Sequence, residues 1–403
     1  LLAASPARAA NLVLILADDL GWRDVGFNGS EILTPNLDRM AAEGVRLSRY
    51  YAQPTCSPTR ASLMTGQSAL RLGVFLPIDK NNLGGLPLDR RILPQLLRDA
   101  GYQTALVGKW HLGHAYSDQL PSARGFDSTY GHLLGGIGHW DHVHGVGLDR
   151  QRDGKVLREE GYSTHLLTRE LERLVRERDV TRPFFYMVSL AAPHLPNEAP
   201  EQTLARYADI ENPHRRAQAA MVDEIDQGIG RVLQLLEEQG IQDETLVWFM
   251  SDNGGLIPGS GSDTLDSIID RLVRWFGIPL PTEALEFVRS NIQDGGADNG
   301  PYRRGKTSVY EGGVLVPSVL YWPGELAPNV VTSRVSVQDV LPTLLHVADG
   351  SVPPGQVLDG RNQWPVVSGR GDAPETDLAT TGMDGEAFYR GPWKLVVAGE
   401  GRQ

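Results

Sequence analysis

An α/β fold is expected for this 403-residue chain: a large, mostly parallel mixed sheet flanked by helices, followed by a small C-terminal α+β subdomain. Three observations predict it. Short apolar runs of strand length recur along the chain, segments of helical period or turn residues separate them, and polar or charged residues follow each of the first four runs. The first run, Asn11 to Ala17, is continuously apolar after its first residue, as a strand buried on both faces requires. Similar runs lie at Gln103 to Val107, Phe184 to Leu190, Thr245 to Met250 and Val314 to Tyr321.

The intervening helices carry recognisable ends. Thr34-Pro35 opens one and Gly44 closes it, with Leu37, Met40 and Ala41 forming its apolar stripe. Others are expected near Leu93 to Ala100, Ser163 to Arg178, Ala217 to Gln239 and Val340 to Ala348. From Asp263 to Ile292 the pattern is a helical hairpin broken at Pro279 to Pro281, placed as an insertion between loop-like flanks and expected to cap the site entrance. The chain then divides into residues 11–368 as the main domain and 369–403 as the C-terminal subdomain, where Ala387 to Val397 reads as a two-stranded hairpin. Residues 1–10 resemble the end of a signal peptide with an Ala-x-Ala site, which implies export to the periplasm or beyond the cell.

Composition narrows the function. Lys+Arg 38 against Asp+Glu 50 gives a net charge of −12, which argues against a nucleic-acid partner. No apolar run reaches the roughly 20 residues of a membrane span, so a soluble chain is expected. The one cysteine, Cys56, excludes an intrachain disulfide and any multi-cysteine zinc site.

Chemistry is expected where strands end, because open parallel sheets bind ligands beyond their carboxyl edges. Asp18-Asp19 follows the first run, Lys109 and His111 the second, His194 the third and Asp252-Asn253 the fourth. Each pair alone also suits a turn or cap. Taken together, three carboxylates and an amide oxygen form a hard donor set, suited to Ca²⁺ or Mg²⁺ and unsuited to zinc. Cys56 lies before Pro58 at an expected helix start with Arg60 one turn on, a place that favours an anion, and on general grounds a low-pKa thiolate nucleophile. The His- and Gly-rich stretch Gly131 to His144 reads as a substrate-facing rim, with a transition-metal site as the alternative.

These motifs resemble those of the type I, formylglycine-dependent sulfatases of the alkaline phosphatase superfamily, arylsulfatases among them. Cys56-Ser57-Pro58-Thr59-Arg60 is similar to the family's Cys-x-Pro-x-Arg signature, and Gly108 to Gly113 to its second signature. Asp18 to Trp22, Ala192-Pro193-His194, Ser251 to Gly255, and Gly305-Lys306 with Glu311 to Gly313 match further blocks in the same order. The resemblance implies a sulfuric ester hydrolase acting on an alkyl, aryl or carbohydrate sulfate, above all a sulfated carbohydrate. It implies that a formylglycine-generating enzyme converts Cys56 to formylglycine, whose hydrate attacks sulfur and later expels sulfate. By the same resemblance Asp18, Asp19, Asp252 and Asn253 hold Ca²⁺ together with the modified residue 56. Arg60 and Lys109 stabilise the alkoxide, and His111 takes the proton that releases sulfate. Lys109, His194, Lys306 and His142 contact the substrate, with His194 or Lys306 as the acid. A phosphodiester or phosphonate monoester hydrolase of the same superfamily is the alternative reading.

Overall fold

A computed structural model describes residues 10–145, 147–257 and 295–398. The helical hairpin expected at 263–292 and nearly all of the expected signal remnant lie outside these residues. A ten-stranded sheet runs in the spatial order Asn329–Val331, Val45–Leu47, Ser318–Tyr321, Thr245–Ser251, Asn11–Ala17, Phe184–Ser189, Gln103–Lys109, Ser128–His132, Gln151–Arg152 and Lys155–Val156. The five strands from Thr245–Ser251 to Ser128–His132 are mutually parallel, and antiparallel strands adjoin them on both sides.

The central strand shows why its sequence is apolar throughout. Leu12, Leu14 and Leu16 enter one hydrophobic core, while Val13, Ile15 and Ala17 enter the other, since successive side chains leave opposite faces of a strand. Helices Cys56–Thr65, Leu93–Asp99 and Val340–Val347 cover the first face, and Ser163–Glu177 and Pro213–Glu238 cover the second. The last of these begins four residues before the expected Ala217. Asn212 caps it by accepting from the backbone N–H groups of His214 and Arg215, and Pro213 occupies its first turn.

Two further expectations differ from the structure. The run Val314 to Tyr321 is not one strand: Leu315–Val316 pairs with Tyr50–Tyr51, and Ser318–Tyr321 pairs antiparallel with Thr245–Ser251. Pro317 separates them because it has no N–H to continue a ladder. Ser128–His132, which carries no apolar run, nevertheless extends the parallel sheet beside Gln103–Lys109. The C-terminal part forms three antiparallel strands, Leu378–Gly382, Gly385–Arg390 and Trp393–Ala398, one more than the expected hairpin, and the short helix Trp364–Val367 precedes residue 369. Leu378, Ala387 and Tyr389 share a small core with Tyr51, Val309 and Leu315, which ties this sheet to the small separate sheet that Tyr50–Tyr51 and Leu315–Val316 form.

Gly108 permits a close backbone approach at the carboxyl edge. It has φ +116, and a β-carbon there would lie 1.8 Å from the carbonyl oxygen of its register partner Ser189. Gly108→Ala is therefore expected to destabilise the protein by at least about 2 kcal/mol. Thermal melting checks this, and an unchanged melting temperature would contradict the packing described.

Candidate active site

Cys56 opens the helix Cys56–Thr65, so its side chain stands at the positive end of the helix dipole. It is buried, and its pKa is raised rather than lowered: burial dominates, and Asp18 and Asp252 add to it against the opposing charges of Lys109 and Lys306. This corrects the thiolate expectation, since at neutral pH the group is a thiol. His111 faces it, with Nδ1 3.2 Å from Sγ. The other ring nitrogen, Nε2, lies 3.1 Å from the carbonyl oxygen of Ile78. A carbonyl only accepts, so Nε2 carries the proton and Nδ1 presents its lone pair to residue 56. Burial, then the charges of Lys109 and Arg60, hold His111 well below the usual imidazole range. His111 also has φ 57 and Asp19 φ 66, backbone conformations that non-glycine residues adopt at some energetic cost.

Three cations meet three carboxylates around this point. Arg60 Nη2 lies 2.8 Å from Asp252 Oδ2, Lys109 Nζ 2.6 Å from Asp18 Oδ2, and Lys306 Nζ 2.6 Å from Asp19 Oδ2. Arg60 also donates to the Lys109 carbonyl and to Ser189 Oγ. Ser189, at a strand end, carries no signal in the sequence beyond that position. Burial raises Asp252, and neighbouring Asp18 raises it further. Burial also acts to raise Asp19, yet Lys306 and then His194 outweigh it and hold the carboxyl at about 2.

The donors present suit a hard cation. Asp18, Asp19 and His194 bring ligand atoms within 4.8 Å of one another. Asp18 Oδ1 and Asn253 Oδ1 are buried with no hydrogen-bond partner among the described residues. Buried oxygens rarely go unpaired, so these two fit a bound divalent ion. Asn253 Nδ2 donates to Asp19 Oδ1, which turns the amide oxygen away from that carboxylate.

Ten of the residues singled out in the sequence thus meet at one end of the sheet: Asp18, Asp19, Cys56, Arg60, Lys109, His111, His194, Asp252, Asn253 and Lys306. His142 is placed differently: its Nε2 lies 3.1 Å from the Gly161 carbonyl and is occupied there. The stretch around it nevertheless touches the site. A β-carbon at Gly135 would lie 2.8 Å from the His111 ring, and one at Gly136 3.0 Å from that of His194. The Gly-Gly pair was visible in the sequence, but its contacts were not.

A parallel α/β sheet gathers acidic, cationic and imidazole groups at its carboxyl edge, a set whose chemistry suits a small anion and a hard cation. The chain belongs to the sulfatase family, whose model, described as Sulfatase, matches residues 10–351. It is 34% identical over 383 residues to arylsulfatase J of Mus musculus, covering 91% of this chain and 57% of the relative. It is 33% identical over 396 residues to N-acetylgalactosamine-6-sulfatase of Mus musculus, covering 91% of this chain and 68% of the relative. Among solved structures it is similar to Ps i-CgsB in complex with k-i-k-neocarrahexaose, with 31% identity, TM-score 0.82 and coverage of 97% of this chain and 84% of that one.

Proposed function

We propose that this chain is a sulfuric ester hydrolase that acts on a sulfated carbohydrate, with residue 56 matured from cysteine to formylglycine. The observation that carries the reading is the His111 lone pair directed at residue 56, at a helix N-terminus and amid three ion pairs. As a buried thiol, Cys56 is a poor nucleophile, whereas the hydrate of formylglycine supplies hydroxyl groups at the same place. The carbohydrate preference rests on the names of its relatives, N-acetylgalactosamine-6-sulfatase and a protein solved with k-i-k-neocarrahexaose.

Asp18, Asp19, Asp252 and Asn253 would hold Ca²⁺, which when bound would supply Lewis acidity at this centre. The three cations and three carboxylates cancel, so a divalent ion leaves the centre positive and ready for a sulfate ester. Arg60 and Lys109 offset negative charge at the oxygen of residue 56. His111 Nδ1 accepts the proton from the second hydroxyl of that residue, which lets sulfate leave. Lys306 and His194 contact sulfate oxygens, and one of them protonates the departing alcohol.

Maturation must precede folding, because Cys56 to Arg60 are all buried and a formylglycine-generating enzyme needs access to them. The reading also includes export, from the Ala-rich residues 1–10. No helix among the described residues is long and apolar enough to cross a membrane.

Two measurements test the proposal. Mass spectrometry of the residue 56 peptide is expected to show the mass loss of conversion to formylglycine. A panel of sulfated mono- and oligosaccharides, with an aryl sulfate control, is expected to release inorganic sulfate. An unmodified thiol in an active preparation overturns the formylglycine mechanism, and a preparation that releases sulfate from none of the panel overturns the activity.

A further inference from the structure

Among the described residues, the histidines between Gly131 and His144 belong to no cluster of three or more potential metal ligands. Three of them point a ring nitrogen at a backbone carbonyl: His139 at His194, His142 at Gly161 and His144 at Gly136. Carbonyl oxygens only accept, so each of those nitrogens is protonated and unavailable as a metal ligand. One of the three reaches into the active site itself.

We propose that His139 is a positioning residue for His194, acting through the hydrogen bond from its Nε2–H to the His194 carbonyl oxygen. The inference rests on the reading of this centre as a sulfate ester hydrolase. The bond is 2.9 Å long, and His139 is fully buried. His139 is itself held on several sides. Its backbone N–H donates to Glu198 Oε2 at 2.7 Å, and its carbonyl accepts from the Ser163 N–H at 2.8 Å. Its ring lies 5.8 Å from that of Tyr162, whose hydroxyl donates to the Glu198 carbonyl at 2.9 Å. The donor is therefore fixed before it meets its acceptor.

What it fixes is the direction of the His194 ring. His194 Nδ1 donates to the carbonyl oxygen of Leu195 at 2.7 Å, so the ring takes its orientation from the backbone immediately after it. The Gly136 backbone closes the approach to Cε1 and Nδ1. Only Nε2 remains directed into the centre, 3.6 Å from Asp19 Oδ2. If the His194 carbonyl were released, the following peptide could turn, the Nδ1 bond would weaken, and Nε2 would swing from the place where sulfate and its leaving group are expected. A displacement of about 1 Å at such a group can lower a rate about 100-fold.

The test compares His139→Phe, which keeps an aromatic ring against Tyr162 but removes the donor, with His139→Gln, whose amide can donate at nearly the same reach. Turnover is measured on a sugar 6-sulfate, whose alcohol needs a proton to leave, and on 4-nitrophenyl sulfate, whose phenolate does not. For His139→Phe, kcat on the sugar sulfate is expected to fall about 100-fold with KM little changed. His139→Gln should recover most of the loss. Wild-type kcat in His139→Phe, or no recovery in His139→Gln, overturns the proposal. His139→Asn, whose amide falls short of the carbonyl, replaces His139→Phe if that variant does not fold.

A second readout does not depend on turnover. Long-range ¹H–¹⁵N spectra of histidine-labelled protein should show His194 protonated at Nδ1 in the native chain, with the other tautomer gaining in His139→Phe. An unchanged tautomer in that variant overturns the proposal even if the parent hydrolyses neither ester, a result that by itself would count against the proposed function alone.

Discussion

Cys56→Ala is expected to lower sulfate release by at least about 10³-fold while leaving the fold intact, because removal of a nucleophile leaves only binding and charge stabilisation to act. The variant should remain folded for specific reasons. Alanine is the best helix former, residue 56 is the first residue of Cys56–Thr65, and the sulfur makes one polar contact, to His111. Loss of the buried sulfur should cost about 1 kcal/mol, a small fraction of typical domain stability. Circular dichroism and thermal melting would confirm the fold, and release of inorganic sulfate would measure the activity. A folded Cys56→Ala enzyme with a normal rate would remove residue 56 from the reaction.

Asp252→Ala is expected to lose activity and stability together. Asp252 Oδ2 accepts from both Nε and Nη2 of Arg60, and both side chains are almost completely buried. Without the carboxylate the guanidinium keeps its bonds to the Lys109 carbonyl and Ser189 Oγ but loses its counter-charge. Breaking a buried ion pair from one side typically costs about 3–5 kcal/mol. For a chain of this length that corresponds to a fall of about 4–6 °C in melting temperature. The double variant Asp252→Ala with Arg60→Met separates the two losses: it removes the stranded cation, so stability should partly return while activity does not. Calcium binding by calorimetry should weaken in both variants, and native affinity in Asp252→Ala would remove this residue from the cation site.

The pairing that underlies this second prediction was not legible in the sequence. Arg60 and Asp252 are 192 residues apart, and nothing local to either names the other. The same holds for Lys306 and Asp19, separated by 287 positions. The sequence placed Arg60 where an anion is favoured; the structure adds that each cation of the centre stands against a carboxylate, so that these charges balance before any ion binds. The expectation for Cys56 changed for a related reason. Its position at a helix start argued for a low pKa, but full burial and two nearby carboxylates outweigh the dipole.

Other differences have equally local causes. Val314 to Tyr321 looked like one strand because every residue but Pro317 and Ser318 is apolar, and the proline decides where pairing changes partner. Ser128–His132 escaped notice because Ser, Thr, Tyr, Gly and His show no apolar run, although the strand is half of the platform that carries His132 beside Lys109. His142 was singled out by the family resemblance, whereas its Nε2 meets the Gly161 carbonyl and it is His139 whose Nε2 bonds to a residue of the centre.

By itself, the sequence determined four of the five parallel strands and the ten residues that converge at their edge. Strand-length apolar runs report burial on both faces of a sheet, and each chemical motif lies within a few residues of a strand end or helix start, so both kinds of information are local. Only the tertiary structure decided which carboxylate each cation meets, which nitrogen of each imidazole carries its proton, and which buried oxygens remain unpaired. Those properties depend on contacts between residues far apart in the chain, and they follow from distances that no local pattern encodes.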